Sequence, residues 1–152
     1  PQVMKGYWDN PEETENAIQD GAFRTGDVGY MDEDGYVFIV DRLKDIIIAG
    51  GYKIYPRLVE DAIYEHPAVG EVTVISIRDK YRGQAPKAFI RLKGGQTLTE
   101  AELIIFLKDK LSVIEQPDSY EFRDELPKTL IGKLSKKELQ VEEDGQAKGS
   151  AA

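Results

Sequence analysis

The chain has 152 residues, 41% hydrophobic and 32% charged, enough for one domain with a core and too apolar for global disorder. Its net charge of −8 and pI of about 4.8 argue against general nucleic-acid binding and electrostatic membrane anchoring, while leaving room for local basic sites that meet phosphates. There is no cysteine and a single histidine, His66, so disulfides, thiolate metal sites, cysteine nucleophiles and histidine-rich metal centres drop out.

No apolar run approaches the ~20 residues of a membrane span, and no signal peptide is visible; a cytoplasmic protein is expected, with peripheral membrane contact left open. The chain starts at Pro1 and not at Met, and is read as a piece of something longer.

Asn10-Pro11-Glu12-Glu13 predicts a helix start, with Asn10 as cap, Pro11 at the first helical position and Glu13 as capping-box partner. That helix is expected to end near Asp20-Gly21. A β-rich run follows. Arg24-Thr25-Gly26-Asp27 is a tight polar turn, Val28 to Met31 a strand, Asp32-Glu33-Asp34-Gly35 a hairpin turn and Tyr36 to Val40 the return strand. A two-stranded hairpin is marginal by itself, so residues 1–41 are assigned to the end of a larger domain.

Beyond the charged knot Asp41-Arg42-Leu43-Lys44-Asp45, the β-branched triplet Ile46-Ile47-Ile48 suits a buried strand. Gly50-Gly51 permits positive φ or close approach of a ligand. Pro56 opens a helix to His66, with Leu58, Val59, Ala62 and Ile63 on the core face and Asp61 and Glu65 opposite. Val72 to Ile77 is a strand, Arg78 to Pro86 a polar connection, and Ala88 to Leu92 the next strand. Thr99-Glu100-Ala101-Glu102 is a capping box that opens a helix with Leu103, Ile104, Leu107 and Leu111 inward. Tyr120-Glu121-Phe122 is a short strand, Pro127 to Lys133 a loop, and Ser135 to about Gln140 a short helix. From Val141 the polar, acidic sequence predicts a disordered tail over 141–152. Residues 42–140 thus read as an α+β domain, a small mixed or antiparallel sheet with packed helices.

Four segments carry chemistry. Asp27, beyond a glycine turn, is an acceptor-only carboxylate suited to two vicinal hydroxyls, although, taken alone, a local turn bond is the better account of it. Asp41-Arg42-Leu43-Lys44-Asp45 suits a salt-bridged surface turn. Gly50-Gly51-Tyr52-Lys53 is either a tight turn or a passage for a thin ligand arm. Pro127-Lys128-Thr129-Leu130-Ile131-Gly132-Lys133 is a basic loop on an acidic protein.

In their order and spacing these segments resemble the adenylate-forming superfamily of acyl-CoA synthetases, luciferase and peptide-synthetase adenylation domains. The resemblance spans residues 1 to about 140 and is strongest to medium- and long-chain fatty-acyl-CoA ligases. It implies an AMP-forming acid–thiol ligase in which a fatty acid or other carboxylic acid reacts with ATP to give acyl-AMP and pyrophosphate, then with CoA to give a thioester. It implies Lys133 as the catalytic cation, Asp27 and Arg42 at the ribose or phosphate of ATP/AMP, and Lys53 near the phosphate. It also implies Gly50 and Gly51 along the pantetheine path and Lys44 as hinge. The larger N-terminal domain would supply the acyl pocket, the phosphate loop and most of the Mg2+ ligands; no metal ligand is assigned here. One departure is Ile114-Glu115-Gln116 before Pro117, where the family often has an aromatic and a basic residue that help hold the CoA nucleotide. Arg78, Lys80, Arg82 and Lys87 are the substitutes on offer. Two alternatives stay open: another acceptor (a carrier-protein thiol or oxygen) and a non-catalytic interaction domain.

Overall fold

The structure, a computed structural model, describes residues 2–149. It divides into two compact units, one up to Lys44 and one from Asp45 onward.

In the first unit, α1 (Pro11–Ala17) starts where the proline and cap place it. Asn10 Oδ1 accepts the Glu13 N–H at 3.2 Å. The return contact comes from Thr14 and not from Glu13: its hydroxyl donates to the Asn10 carbonyl at 2.9 Å and accepts the Tyr7 N–H at 2.9 Å. The helix stops at Ala17, short of the expected end. Asp20 and Gly21 both have positive φ (51° and 76°), so the pair forms a two-residue hairpin turn between β1 (Ile18–Gln19) and β2 (Ala22–Phe23). The hairpin of β3 (Asp27–Met31) and β4 (Val37–Arg42) follows. Asp32 Oδ1 organises its turn by accepting from Asp34 and Tyr36 N–H groups, and Tyr30 stacks on Phe38 with ring centres 5.0 Å apart.

The second unit has the expected α+β build. Its five-stranded sheet has the order β6-β5-β8-β7, with β9 also on β8. These are β5 (Ile47–Ala49), β6 (Tyr52–Ile54), β7 (Val69–Asp79), β8 (Gly83–Leu92) and β9 (Ser119–Phe122). The pairings are antiparallel except for β8 with β9. Helices α2 (Pro56–Tyr64) and α3 (Glu100–Leu107) complete the larger core, where Ile47, Ile54, Val59, Ile63, Val74 and Leu103 are fully buried. The alternation of Val74 and Ile75 puts neighbours on opposite faces, and Ile75 joins Phe89, Leu126 and Leu139 in a second core. Leu139 belongs to α4 (Lys136–Gly149). The capping box of α3 is present, with Thr99 and Glu102 exchanging bonds. Leu58 and Ile104, placed on core faces by their spacing, are instead exposed.

Two expectations need correction. The polar segment Arg78 to Pro86 is not a loose connection. β7 continues to Asp79 and β8 begins at Gly83, with Pro86 opposite Ser76. Proline argues against a central strand, and it masked this one. The second correction is the tail. Val141 to Gly149 is helical and extends α4, because the acidic residues that read as a solvated run are paired with the sheet. Glu143 meets Lys87 at 2.5 Å and Glu142 meets Arg123 at 2.8 Å, and both cations lie over the Phe89 ring. Residues 150–152 of that tail lie outside the described residues.

Candidate functional site

In the first unit the β3–β4 register sets Asp27 directly opposite Arg42. Arg42 Nε donates to Asp27 Oδ1 at 3.0 Å, and a terminal guanidinium nitrogen reaches the Thr25 carbonyl at 3.3 Å. Thr25 Oγ1 accepts the Asp27 N–H at 3.1 Å. Two predicted site residues, distant in sequence, thus form one charged pair. Asp41 on the same strand is buried and accepts the Arg42 N–H at 2.7 Å. Lys44 is exposed in a short 3-10 turn, Leu43–Asp45, and is the last residue of the unit.

In the second unit Gly50 and Gly51 have φ of 57° and 88°. They form the two-residue turn between β5 and β6, with Ala49 opposite Tyr52. Both positions need positive φ, which explains the glycine pair on conformational grounds. The Gly50 N–H donates to the Arg82 carbonyl at 2.9 Å, and Ala49 pairs with Gly83. The turn therefore lies beside the β7–β8 tip. A side chain at Gly51 would meet nothing within 4 Å, so its outer side is open. Lys53 is exposed on β6.

Of the four cations offered for phosphate contacts, two are already engaged. Arg82 pairs with Asp79 and Asp118. Lys87 pairs with Glu121 and Glu143; burial pulls its pKa down, but the bonds to those carboxylates outweigh it and the net shift is upward. Arg78 and Lys80 are exposed. Glu115 is turned onto its own loop, where its carboxylate accepts from the Ser112 N–H at 3.0 Å and hydroxyl at 2.6 Å.

Lys133 lies on the descending arm of a narrow loop. Thr129 closes that loop. Its N–H donates to the Lys133 carbonyl (2.7 Å), its carbonyl accepts from Gly132 (2.8 Å), and its hydroxyl accepts the Lys133 N–H (3.2 Å). At the base the Ser135 N–H donates to the Pro127 carbonyl at 2.8 Å. Lys133 shares an open groove of about 580 Å³ with Arg57, Glu60, Asp61, Tyr64 and Val72.

The lysine and the glycine turn are not brought together. The Lys133 groove reaches β7 at Val72, whereas the turn meets Gly83, opposite Asp79. From Val72 to Asp79 along β7 is about 23 Å at a strand's rise of about 3.3 Å per residue.

The sequence reading did not single out two carboxylates that flank this loop. Glu60 falls at helical spacing with buried Pro56 and Ile63, and a charge on that inner face was the available signal. Its Oε1 meets Lys136 Nζ at 2.8 Å and accepts the Val74 N–H at 2.8 Å. Glu71 meets Arg91 at 2.9 Å and Lys128 at 2.6 Å. Hydrogen bonds from Arg91, then Lys128, hold its pKa below the ordinary carboxylate value.

Among the described residues no group of three or more His, Asp or Glu is placed to hold a metal ion. None of the helices described is long and apolar enough to cross a membrane.

Comparison with known proteins supplies the rest. A long-chain-fatty-acid–CoA ligase from Bacillus subtilis is 54% identical over 143 residues, covering 94% of this chain and 26% of that protein. A 2-succinylbenzoate–CoA ligase from Geobacillus kaustophilus is 45% identical over 139 residues, covering 91% of this chain and 28% of that protein. The crystal structure of ATP-bound MatB from Rhodopseudomonas palustris matches with a TM-score of 0.85 at 36% identity, over 92% of this chain and 28% of that one. The chain therefore spans about a quarter of the length of the relatives it matches. The sequence profile of the AMP-binding enzyme C-terminal domain family fits residues 58–133, and the chain belongs to that family.

Proposed function

We propose that this chain is the C-terminal part of an AMP-forming acid–thiol ligase that activates a fatty acid with ATP and passes the acyl group to CoA. The observation that carries the reading is the placement of Lys133 and the glycine turn at separated stations of one compact unit. Each station suits one half-reaction.

In the first half-reaction a carboxylate oxygen attacks the α-phosphorus of ATP and pyrophosphate leaves. Two anions must approach each other. The Lys133 ammonium, exposed on its stiffened loop, bridges the carboxylate and the α-phosphate as charge moves between them. Asp27 gives one oxygen to Arg42 and offers the other to the ribose hydroxyls, which orients the nucleotide. Lys53 lies near the phosphate.

In the second half-reaction the CoA sulfur attacks the acyl carbon and AMP leaves. The unit rotates about Lys44, withdraws Lys133 and presents Gly50-Gly51, whose open outer side admits the thin pantetheine arm. The upstream domain binds the acyl chain and the Mg2+ that accompanies ATP. CoA is favoured as acceptor because Glu115 is occupied by its own turn, and Arg78 and Lys80 stand exposed near the glycine turn.

The test places this chain where the matching segment of the Bacillus subtilis ligase stands. Lys133→Ala should lower ATP–pyrophosphate exchange on the order of 10²- to 10³-fold, the usual loss when one preorganised charge-stabilising group is removed. Thioester formation from preformed acyl-adenylate and CoA should persist. Unchanged exchange would overturn the reading. Persistence of the adenylate step with no thioester formed on CoA would leave the activation chemistry and move the acceptor elsewhere.

A further inference from the structure

The loop that carries Lys133 is bonded mainly to itself through Thr129. Its tip residues Leu130 and Ile131 are exposed. Its hold on the rest of the unit is concentrated at its two feet. Leu126 and Leu134 bury there against Ile75, Phe89 and Leu139, but apolar contact is non-directional.

Direction comes from two ion pairs. On the ascending side Lys128 Nζ meets Glu71 Oε1 at 2.6 Å. On the descending side Lys136 Nζ meets Glu60 Oε1 at 2.8 Å.

Both carboxylates are fixed before the lysines reach them. The Glu60 side chain is 12% exposed, and its Oε1 also accepts the Val74 N–H on the outer edge of β7. The Glu71 side chain is 19% exposed, and its other oxygen is held by Arg91 of β8. Each is a charged post on a rigid element, facing a flexible lysine at one end of the loop. A charge that must meet a reacting group within an ångström needs such supports.

We propose that Glu60 and Glu71 are positioning residues for Lys133, fixing the loop's two ends through Lys136 and Lys128 so that the ammonium arrives in register with the reacting groups. This rests on the role given to Lys133 above. Neither carboxylate touches substrate, and their effect is on placement.

The experiment uses the same chain within the Bacillus subtilis ligase and compares Glu60→Gln, Glu71→Gln and the double variant. Glutamine keeps an acceptor oxygen for the Val74 N–H and for Arg91, so the sheet stays satisfied while both lysines lose their counter-charges. ATP–pyrophosphate exchange should fall on the order of tenfold for each single variant and on the order of a hundredfold for the double, the scale of an ångström misplacement. The loss should fall in kcat and not in KM for ATP. Thioester formation from preformed acyl-adenylate should stay at the parent rate, and Lys136→Arg should retain exchange.

An equal fall of both half-reactions, together with a lowered Tm, would mean that the pairs hold the fold and not the lysine, and would overturn the proposal. Unchanged exchange in the double variant, with Lys133→Ala inactive, would overturn it and leave the role of Lys133 standing. Exchange that survives Lys133→Ala would remove that role and the proposal with it. Should Glu60→Gln fail to fold, Lys136→Met with Lys128→Met removes both pairs from their more exposed side, and the same split is expected.

Discussion

Tyr120 carries a hydroxyl that is buried without a hydrogen-bond partner among the described residues. Its ring packs against the main core, and burial, followed by the charges of Glu100 and Asp118, pushes its pKa up to about 12. A buried polar group left unpaired costs more than the apolar group that replaces it. Tyr120→Phe should therefore leave the unit as stable or stabilise it by up to about 1 kcal/mol; thermal unfolding checks this, and a clear loss would reveal a partner for the hydroxyl. Residues such as Thr99, Asn10 and Pro56 were legible because their roles are local: a cap is decided by its next three neighbours. Glu71 was not, because a carboxylate's partner on another strand leaves no mark in its own neighbourhood, and Glu60 showed only as a charge on the inner face of its helix.

At the scale of the element, two of the glycine-bearing hairpin turns were read unevenly. Gly50-Gly51 was read as either a positive-φ turn or a ligand passage, and it is a turn; Asp20-Gly21 was taken as a helix end, because a helix stop and a hairpin turn share the same residue types. Substitutions in the first of these separate shape from chemistry. Gly50→Asn converts the turn to Asn-Gly and should preserve the Tm. Gly51→Ala forces a Cβ into left-handed backbone and should cost about 1–2 kcal/mol, although the space around it is empty. If the turn also lines the thiol's path, Gly51→Ala should depress the thioester half-reaction beyond what this loss of stability explains, measured with preformed acyl-adenylate at a temperature where the variant is folded. Helix α4 shows the opposite failure of legibility. Its acidic stretch lacks an apolar stripe strong enough to announce a helix, and Lys87 and Arg123, far upstream, supply the reason for it to fold.

For the whole molecule, the division into units at Lys44 motivates a test of movement. Lys44→Pro fixes φ at that residue and restricts Leu43 before it. It should slow the thioester half-reaction and spare ATP–pyrophosphate exchange; equal slowing of both would count against Lys44 as the pivot. The α+β class was visible in the sequence pattern, as was the strand at Ile46-Ile47-Ile48 that forms β5; β6 and the strand order were not. The length of β7 and β8 was not, since Pro86 and a polar tip disguised it. That length bears on timing. A carboxylate activated as a mixed anhydride is vulnerable to water from the moment it forms. On the proposed function, a stretch of β7 about 23 Å long, from Val72 to Asp79, stands between the Lys133 groove and the glycine turn, so a single active centre would admit one of them at a time. The strand would then act as an interlock: the tool for making the anhydride would leave before the tool for consuming it arrived, and the thiol would not be summoned before there was something for it to attack.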